Sequence, residues 1–220
     1  MTVVEVLPAL LGADPLALGA ATDSLVGAPV RYLHLDVMDG AFVPDISFGA
    51  RTVTAVRRRT ELPLDVHLQV ANPEAHLDAL LAAKVDLVTV HVESTAHVAR
   101  LLRRLRLAGV DAALAVNPGT PLGSLAELLG EIVQVTVMTS NPGTSDFLEY
   151  TLDKIRRLRA LLAESRLEHV HIAADGGVTE ARARALHEAG ADRLIAGSAV
   201  FQAPGGVVDG VARLREAALS

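Results

Sequence analysis

Apolar, β-branched runs and amphipathic stretches alternate along this chain. The β-like runs are Val3–Leu7, Tyr32–Val37, Leu64–Val70, Leu87–Val92, Ala112–Val116, Val133–Met138, His169–Ala173 and Leu194–Ala196. Between them lie segments with apolar residues at helical spacing, such as PEAHLDALLAAK, HVARLLRRLRLAG and EARARALHEAG;. The last two close on Gly109 and Gly190, since glycine accepts the left-handed turn that ends a helix;. Eight strands alternating with helices predict an α/β protein, a (β/α)8 TIM barrel forming a single domain over residues 1–220;. A doubly wound open sheet is the competing architecture, but no GxGxxG follows the first run. No linker, low-complexity tract or short repeat interrupts the pattern.

Composition narrows the environment. With 220 residues and no cysteine, the chain can bury a core without disulfides, and thiolate ligands and a cysteine nucleophile are excluded;. The start, MTVVEVLPALLGADP, lacks a basic leader region, and no apolar run reaches the ~18–20 residues of a membrane span;. A net charge of −6 argues against a nucleic-acid partner;. The expectation is a cytoplasmic protein that engages neither nucleic acid nor membrane. Only Lys84 and Lys154 are lysines, and both lie in helical patterns rather than at strand ends, which argues against Schiff-base chemistry;.

The candidate chemistry lies at strand ends. His34 and Asp36 are two apart in a β-like run, so their side chains share a face;. His67 and Asp175 fall near the ends of the third and seventh strands, and barrel active sites form at the carboxyl ends of strands;. Each residue alone reads better as structural, an aspartate capping a helix or a histidine hydrogen-bonded in the core. Together they make an N/O set suited to one divalent metal: zinc, iron(II), manganese or cobalt. His91 also ends a strand, where a core or supporting role is as good a reading. His76, His97, His169 and His187 lie in helical or flanking segments and carry no signal.

Two glycine segments follow the last two strands, DGGV (Asp175–Val178) and AGSAVF (Ala196–Phe201). Backbone N–H groups there can cradle a phosphate without lysine, at the usual phosphate position of such barrels. A metal, two carboxylates and a phosphate cradle suggest enolisation of a sugar phosphate.

At this point the chain resembles the ribulose-phosphate 3-epimerase family over nearly its whole length. The resemblance rests on LHLDVMDGAFVPDISFG (Leu33–Gly49), LDVHLQVANPE (Leu64–Glu74), LAVNPGTPL (Leu114–Leu122), VMTSNPG (Val137–Gly143) and ADGGVTE with AGADRLIAGSAVF (Ala174–Phe201). It implies that His34, Asp36, His67 and Asp175 hold the metal. It also implies that Asp36 and Asp175 are the acid/base pair working on opposite faces of an enediolate. By the same resemblance Met38 and Met138 line the intermediate, Gly143, Gly176, Gly177, Gly197 and Ser198 contact the phosphate, and the protein self-associates. The implied reaction interconverts D-ribulose 5-phosphate and D-xylulose 5-phosphate.

Three positions depart from the family pattern. Ala9 stands where a substrate-contacting serine is usual, and Gln69 where a methionine lines the pocket. After the sixth strand, Asn141-Pro142-Gly143-Thr144-Ser145-Asp146-Phe147 lacks the family's Gly-Gly-Gln element, predicting a shorter lid that welcomes a dianion less. An epimerase of another ketose or ketose phosphate, or a barrel that binds without turnover, are the alternatives. The intact ligand and acid/base set argues against the last. Barrels of the orotidine-monophosphate decarboxylase, hexulose-phosphate synthase and triose-phosphate isomerase kinds need an active-site lysine that this chain does not place.

Overall fold

A computed structural model describes residues 4–220. Its strands are β1 (Glu5–Pro8), β2 (Leu33–Met38), β3 (Leu64–Gln69), β4 (Leu87–His91), β5 (Asp111–Val116), β6 (Gln134–Met138), β7 (His171–Asp175) and β8 (Arg193–Ala196). They pair in parallel in the order β1-β8-β7-β6-β5-β4-β3-β2, and a bridge between Ala9 and His34 draws the end of β1 onto β2. The result is the expected (β/α)8 barrel. Its helices are α1 (Leu18–Asp23), α2 (Ala50–Arg57), α3 (Leu77–Ala82), α4 (Val98–Leu107), α5 (Thr151–Glu164), α6 (Glu180–Ala189), α7 (Ser198–Phe201) and α8 (Val207–Leu219).

Most strand bounds fall within one residue of the sequence reading. Val3, assigned to the first strand, lies outside the described residues. The seventh strand is a correction, because it runs His171–Asp175 rather than His169–Ala173. A turn closed by Val170 N–H and Leu167 C=O occupies the first positions, and the ladder begins where His171 N–H meets Val133 C=O. Asp175 is therefore held by the sheet itself. The alternation is also incomplete. Between β5 and β6 the chain makes only 3-10 turns, Leu122–Ser124 and Ala126–Glu131. Pro118, Gly119, Pro121, Gly123 and Gly130 remove helical donors and raise backbone entropy throughout that stretch;.

The strand phase divides the core in two. Leu33, Leu35 and Val37, Leu64, Val66 and Leu68, and Ile172 and Ala174 join the large cluster beneath the helices. Their alternates face the barrel interior: His34, Asp36 and Met38, Asp65, His67 and Gln69, and Ala173 and Asp175;. Polar side chains in that interior require partners. At the amino ends of the strands the buried Arg193 guanidinium donates to Glu5 and Gln134, both at 2.8 Å, and lies over the Tyr32 ring. That pairing plugs one end of the barrel and leaves the other for chemistry.

Candidate active site

Strand register brings the candidate ligands to one level. Asp36 on β2 is paired with His67 on β3, and Met138 on β6 with Asp175 on β7. One ligand atom from each of His34, Asp36, His67 and Asp175 lies within 4.8 Å of all the others. Asp36 Oδ1 sits 3.3 Å from His34 Nε2 and 3.4 Å from His67 Nδ1, and Asp175 Oδ2 lies 3.3 Å from His67 Nδ1. That last approach is not aligned as a hydrogen bond, so Asp175 Oδ2 is buried without a donor.

The far side of each imidazole is also occupied. His34 Nδ1 lies 2.8 Å from Asp65 Oδ2, whose other oxygen accepts from Thr89 Oγ1 at 3.0 Å. A carboxylate only accepts, so His34 donates from Nδ1 and presents its Nε2 to the cluster;. His67 Nε2 meets His91 Nε2 at 2.9 Å, which leaves His67 Nδ1 facing the same centre. Sequence reasoning passed over Asp65, although it shares a strand face with His67 two residues on and was legible by phase alone;.

Electrostatics describe a centre that demands positive charge. Burial alone would lower the His34 pKa, but Asp36 and Asp65 together raise it well above the usual value. Burial would likewise lower His67, and Asp175 and Asp36 raise it. Asp36 moves the opposite way, since the two imidazoles overcome the burial that would raise it. Without a cation the cluster recruits protons onto its histidines; a divalent ion supplies the same charge. The orphaned Asp175 oxygen, the two outward-anchored imidazoles and the N/O donor set fit such an ion;.

Above the cluster opens a cavity of about 720 Å³. Asp36 and Asp175 reach its wall, whereas His34 and His67 are fully buried and do not. Met38, Met138, Gln69 and Ala9 line it near the carboxylates, and Gly143, Gly176, Gly177, Gly197 and Ser198 line it as well. All thirteen residues singled out from the sequence are thus in the cluster, the cavity wall or both. Glycine is required at Gly176, where φ is +114° and a Cβ would come 2.1 Å from Ser140 Oγ. It is required again where Gly12 packs on Gly197, with a Cβ on Gly12 only 2.2 Å from the Gly197 carbonyl carbon.

One lining residue carried no sequence signal. Arg182, from α6, is the single basic side chain in the wall among the described residues. Its guanidinium donates to Gly177 C=O at 2.7 Å and covers the Phe147 ring at 4.7 Å. Asp146, on the shortened loop, also lines the cavity. Lys154 does not: its ammonium donates to the carbonyls of Asn117, Pro118 and Thr120 at 2.7–2.8 Å, a structural clamp on the loop after β5.

Comparison with known proteins agrees with this geometry. Residues 5–201 match the model of the ribulose-phosphate 3 epimerase family. The chain is 41% identical over 204 residues to the chloroplastic ribulose-5-phosphate-3-epimerase of Arabidopsis thaliana, covering 91% of this chain and 72% of that one. It is 37% identical to ribulose-phosphate 3-epimerase of Rhodobacter capsulatus, over 90% of this chain and 86% of the relative. Among solved structures, the tryptophan synthase α-subunit of Pyrococcus furiosus aligns with a TM-score of 0.67 at 20% identity, covering 97% of this chain and 95% of that one, a likeness of fold alone. No helix among the described residues is long and apolar enough to cross a membrane. By family match, identity and coverage, the chain belongs to the ribulose-phosphate 3-epimerase family.

Proposed function

We propose that this protein inverts the configuration at C3 of a ketose phosphate, interconverting D-ribulose 5-phosphate and D-xylulose 5-phosphate. The observation that carries the reading is the division of the ligand set: both carboxylates reach the cavity while both imidazoles are sealed from it. Two acid/base groups then meet the substrate from different strands, β2 and β7, as inversion at carbon requires;. One aspartate removes the C3 proton, and the other returns a proton to the opposite face of the enediolate. Asp36 is held in its ionised form by its imidazole neighbours, the form in which a carboxylate can accept a proton;.

His34, Asp36, His67 and Asp175 would hold a divalent ion, zinc, iron(II), manganese or cobalt, which when bound polarises the substrate carbonyl and acidifies the adjoining C–H. Met38 and Met138 present apolar surface beside the carboxylates and keep water from the intermediate;. Gly143, Gly176, Gly177, Gly197 and Ser198 are assigned to the phosphate, with Arg182 supplying positive charge beside Gly177;. We assign the whole of residues 1–220 to one catalytic domain in a cytoplasmic, self-associating enzyme.

Proton NMR of D-ribulose 5-phosphate in D₂O with metal-loaded protein tests the reading. The expected result is appearance of xylulose 5-phosphate with loss of the C3 proton signal, both abolished by a chelator, and the epimer abolished by Asp175→Asn. Neither event with metal bound would remove this substrate. Exchange without epimer would leave only one aspartate delivering protons.

A further inference from the structure

Gln69 stands in the cavity wall with one end of its amide committed and the other free. Its nitrogen is 2.8 Å from Asp36 Oδ1 and 3.5 Å from His67 Nδ1. A carboxylate accepts and cannot donate, so chemistry fixes the NH₂ toward Asp36 and the carbonyl oxygen away from it. That oxygen, Oε1, is buried and has no hydrogen-bond donor, and the whole residue is 2% exposed. Burying an amide carbonyl without a donor is costly, and such an atom in a binding cavity is a recognition element awaiting its ligand.

Resting on the epimerase reading, we infer that Gln69 Oε1 accepts a hydrogen bond from a hydroxyl of the ketose chain and makes Gln69 a specificity-determining residue. Its nitrogen is bound to a carboxylate assigned to proton transfer at C3. The hydroxyl it reads is therefore that of the reacting carbon or of its neighbour, C4. An apolar side chain at this position offers no such acceptor and tolerates a deoxy sugar. Gln69 does not, because a deoxy ligand leaves Oε1 as unpaired as before. The same residue organises Asp36. Gln69 Nε2 donates to Oδ1 and both imidazoles approach that same oxygen, leaving Oδ2 as the oxygen for proton transfer.

The test compares equilibrium binding of D-ribulose 5-phosphate with its 3-deoxy and 4-deoxy counterparts, on metal-loaded wild type and on Gln69→Met. Wild type should bind one deoxy sugar about 10–100-fold more weakly than the parent. In Gln69→Met that penalty should fall to about twofold or less, with metal content unchanged. Gln69→Leu serves as a second apolar variant if methionine is not accommodated. Equal affinity of wild type for all three sugars overturns the inference, as does a penalty that survives in the apolar variants. Failure of the parent sugar itself to bind would overturn the epimerase reading and take this inference with it, an outcome distinct from the other two.

Discussion

The rings of His91 and His67 are nearly parallel and meet at their nitrogen edges, with centroids 4.9 Å apart, an interplanar angle of 14° and Nε2 atoms 2.9 Å apart. One of the two nitrogens must donate. If His67 Nδ1 is a lone-pair ligand, His67 Nε2 carries the proton and His91 Nε2 accepts it. His91 then carries its own proton on Nδ1, 3.2 Å from Glu93 Oε2. Burial pushes His91 down to about 4, which keeps it neutral and able to accept. Burial would raise Glu93, but bonds from His91, Thr120 and the Asn117 N–H bring it down to about 2. Every member of the chain thus has one consistent direction.

Breaking this chain should loosen the metal rather than the fold. We expect His91→Leu to lower metal affinity by about 10–100-fold, and Glu93→Gln by less, because partners of this kind orient the ligand imidazole and raise its basicity. Titration against a competing chelator, with circular dichroism as the control for folding, reads the effect directly. Unchanged affinity in both variants would mean that His67 is oriented by packing alone.

How far the site could be read from sequence depends on where it stands in the barrel. His34, Asp36, His67 and Asp175 were legible because strand phase and strand ends are properties of the sequence, and register carried them to one level. Arg182 was not. It lies on α6, beyond the DGG segment, and reaches the cavity only because Gly177 C=O and the Phe147 ring hold it there. The missing helix between β5 and β6 was written in prolines and glycines, yet the strong alternation elsewhere masked it. The two-residue slide of β7 arose because Val170 is apolar and fully buried while belonging to a turn, so hydrophobicity alone could not exclude it.

Arg182 and Asp146 give the cavity opposing charges near the glycines assigned to the phosphate. Arg182→Ala should raise KM for D-ribulose 5-phosphate about tenfold with little change in kcat, since a lost charge-assisted contact remote from C3 weakens ground and transition states alike. Asp146→Asn should lower KM by about two- to fivefold at low salt, with the gain shrinking as salt screens the repulsion. Steady-state kinetics at two ionic strengths measures both. A fall in kcat with KM unmoved in Arg182→Ala would place that residue at the chemistry instead.

Gly176 couples the loop after β6 to the one after β7. A Cβ there would sit 2.1 Å from Ser140 Oγ and 2.7 Å from Ser140 N, at a φ of +114°. Gly176→Ala should destabilise the protein by about 1–3 kcal/mol, because strain of this backbone region adds to the clash. The backbone nitrogen cannot move aside, so adding Ser140→Ala should recover little. Full recovery of the melting temperature in the double variant would assign the whole effect to the hydroxyl.

Asp192 offers a pH test away from the active site. Its Oδ2 accepts from Arg159 at 2.7 Å, and its Oδ1 accepts from Ile172 N–H at 3.0 Å and lies 3.2 Å from His171 Nδ1. Burial would raise the Asp192 pKa, but His171 and Arg159 outweigh it and hold the carboxyl below its ordinary value. A folded-state pKa below the unfolded one means that the unfolded chain binds the proton more readily. The contribution to stability is therefore complete above about pH 4, the ordinary aspartate value, and drains away as pH falls through the lower folded value. Asp192→Asn should cost about 1.5–3 kcal/mol at pH 7, the worth of a hydrogen bond to a charged group. The gap between variant and wild type should narrow at pH 3, where other acidic groups titrate in both proteins and cancel. Urea unfolding at the two pH values measures it, and a gap that is constant or widens in acid would show that Asp192 acts through shape rather than charge.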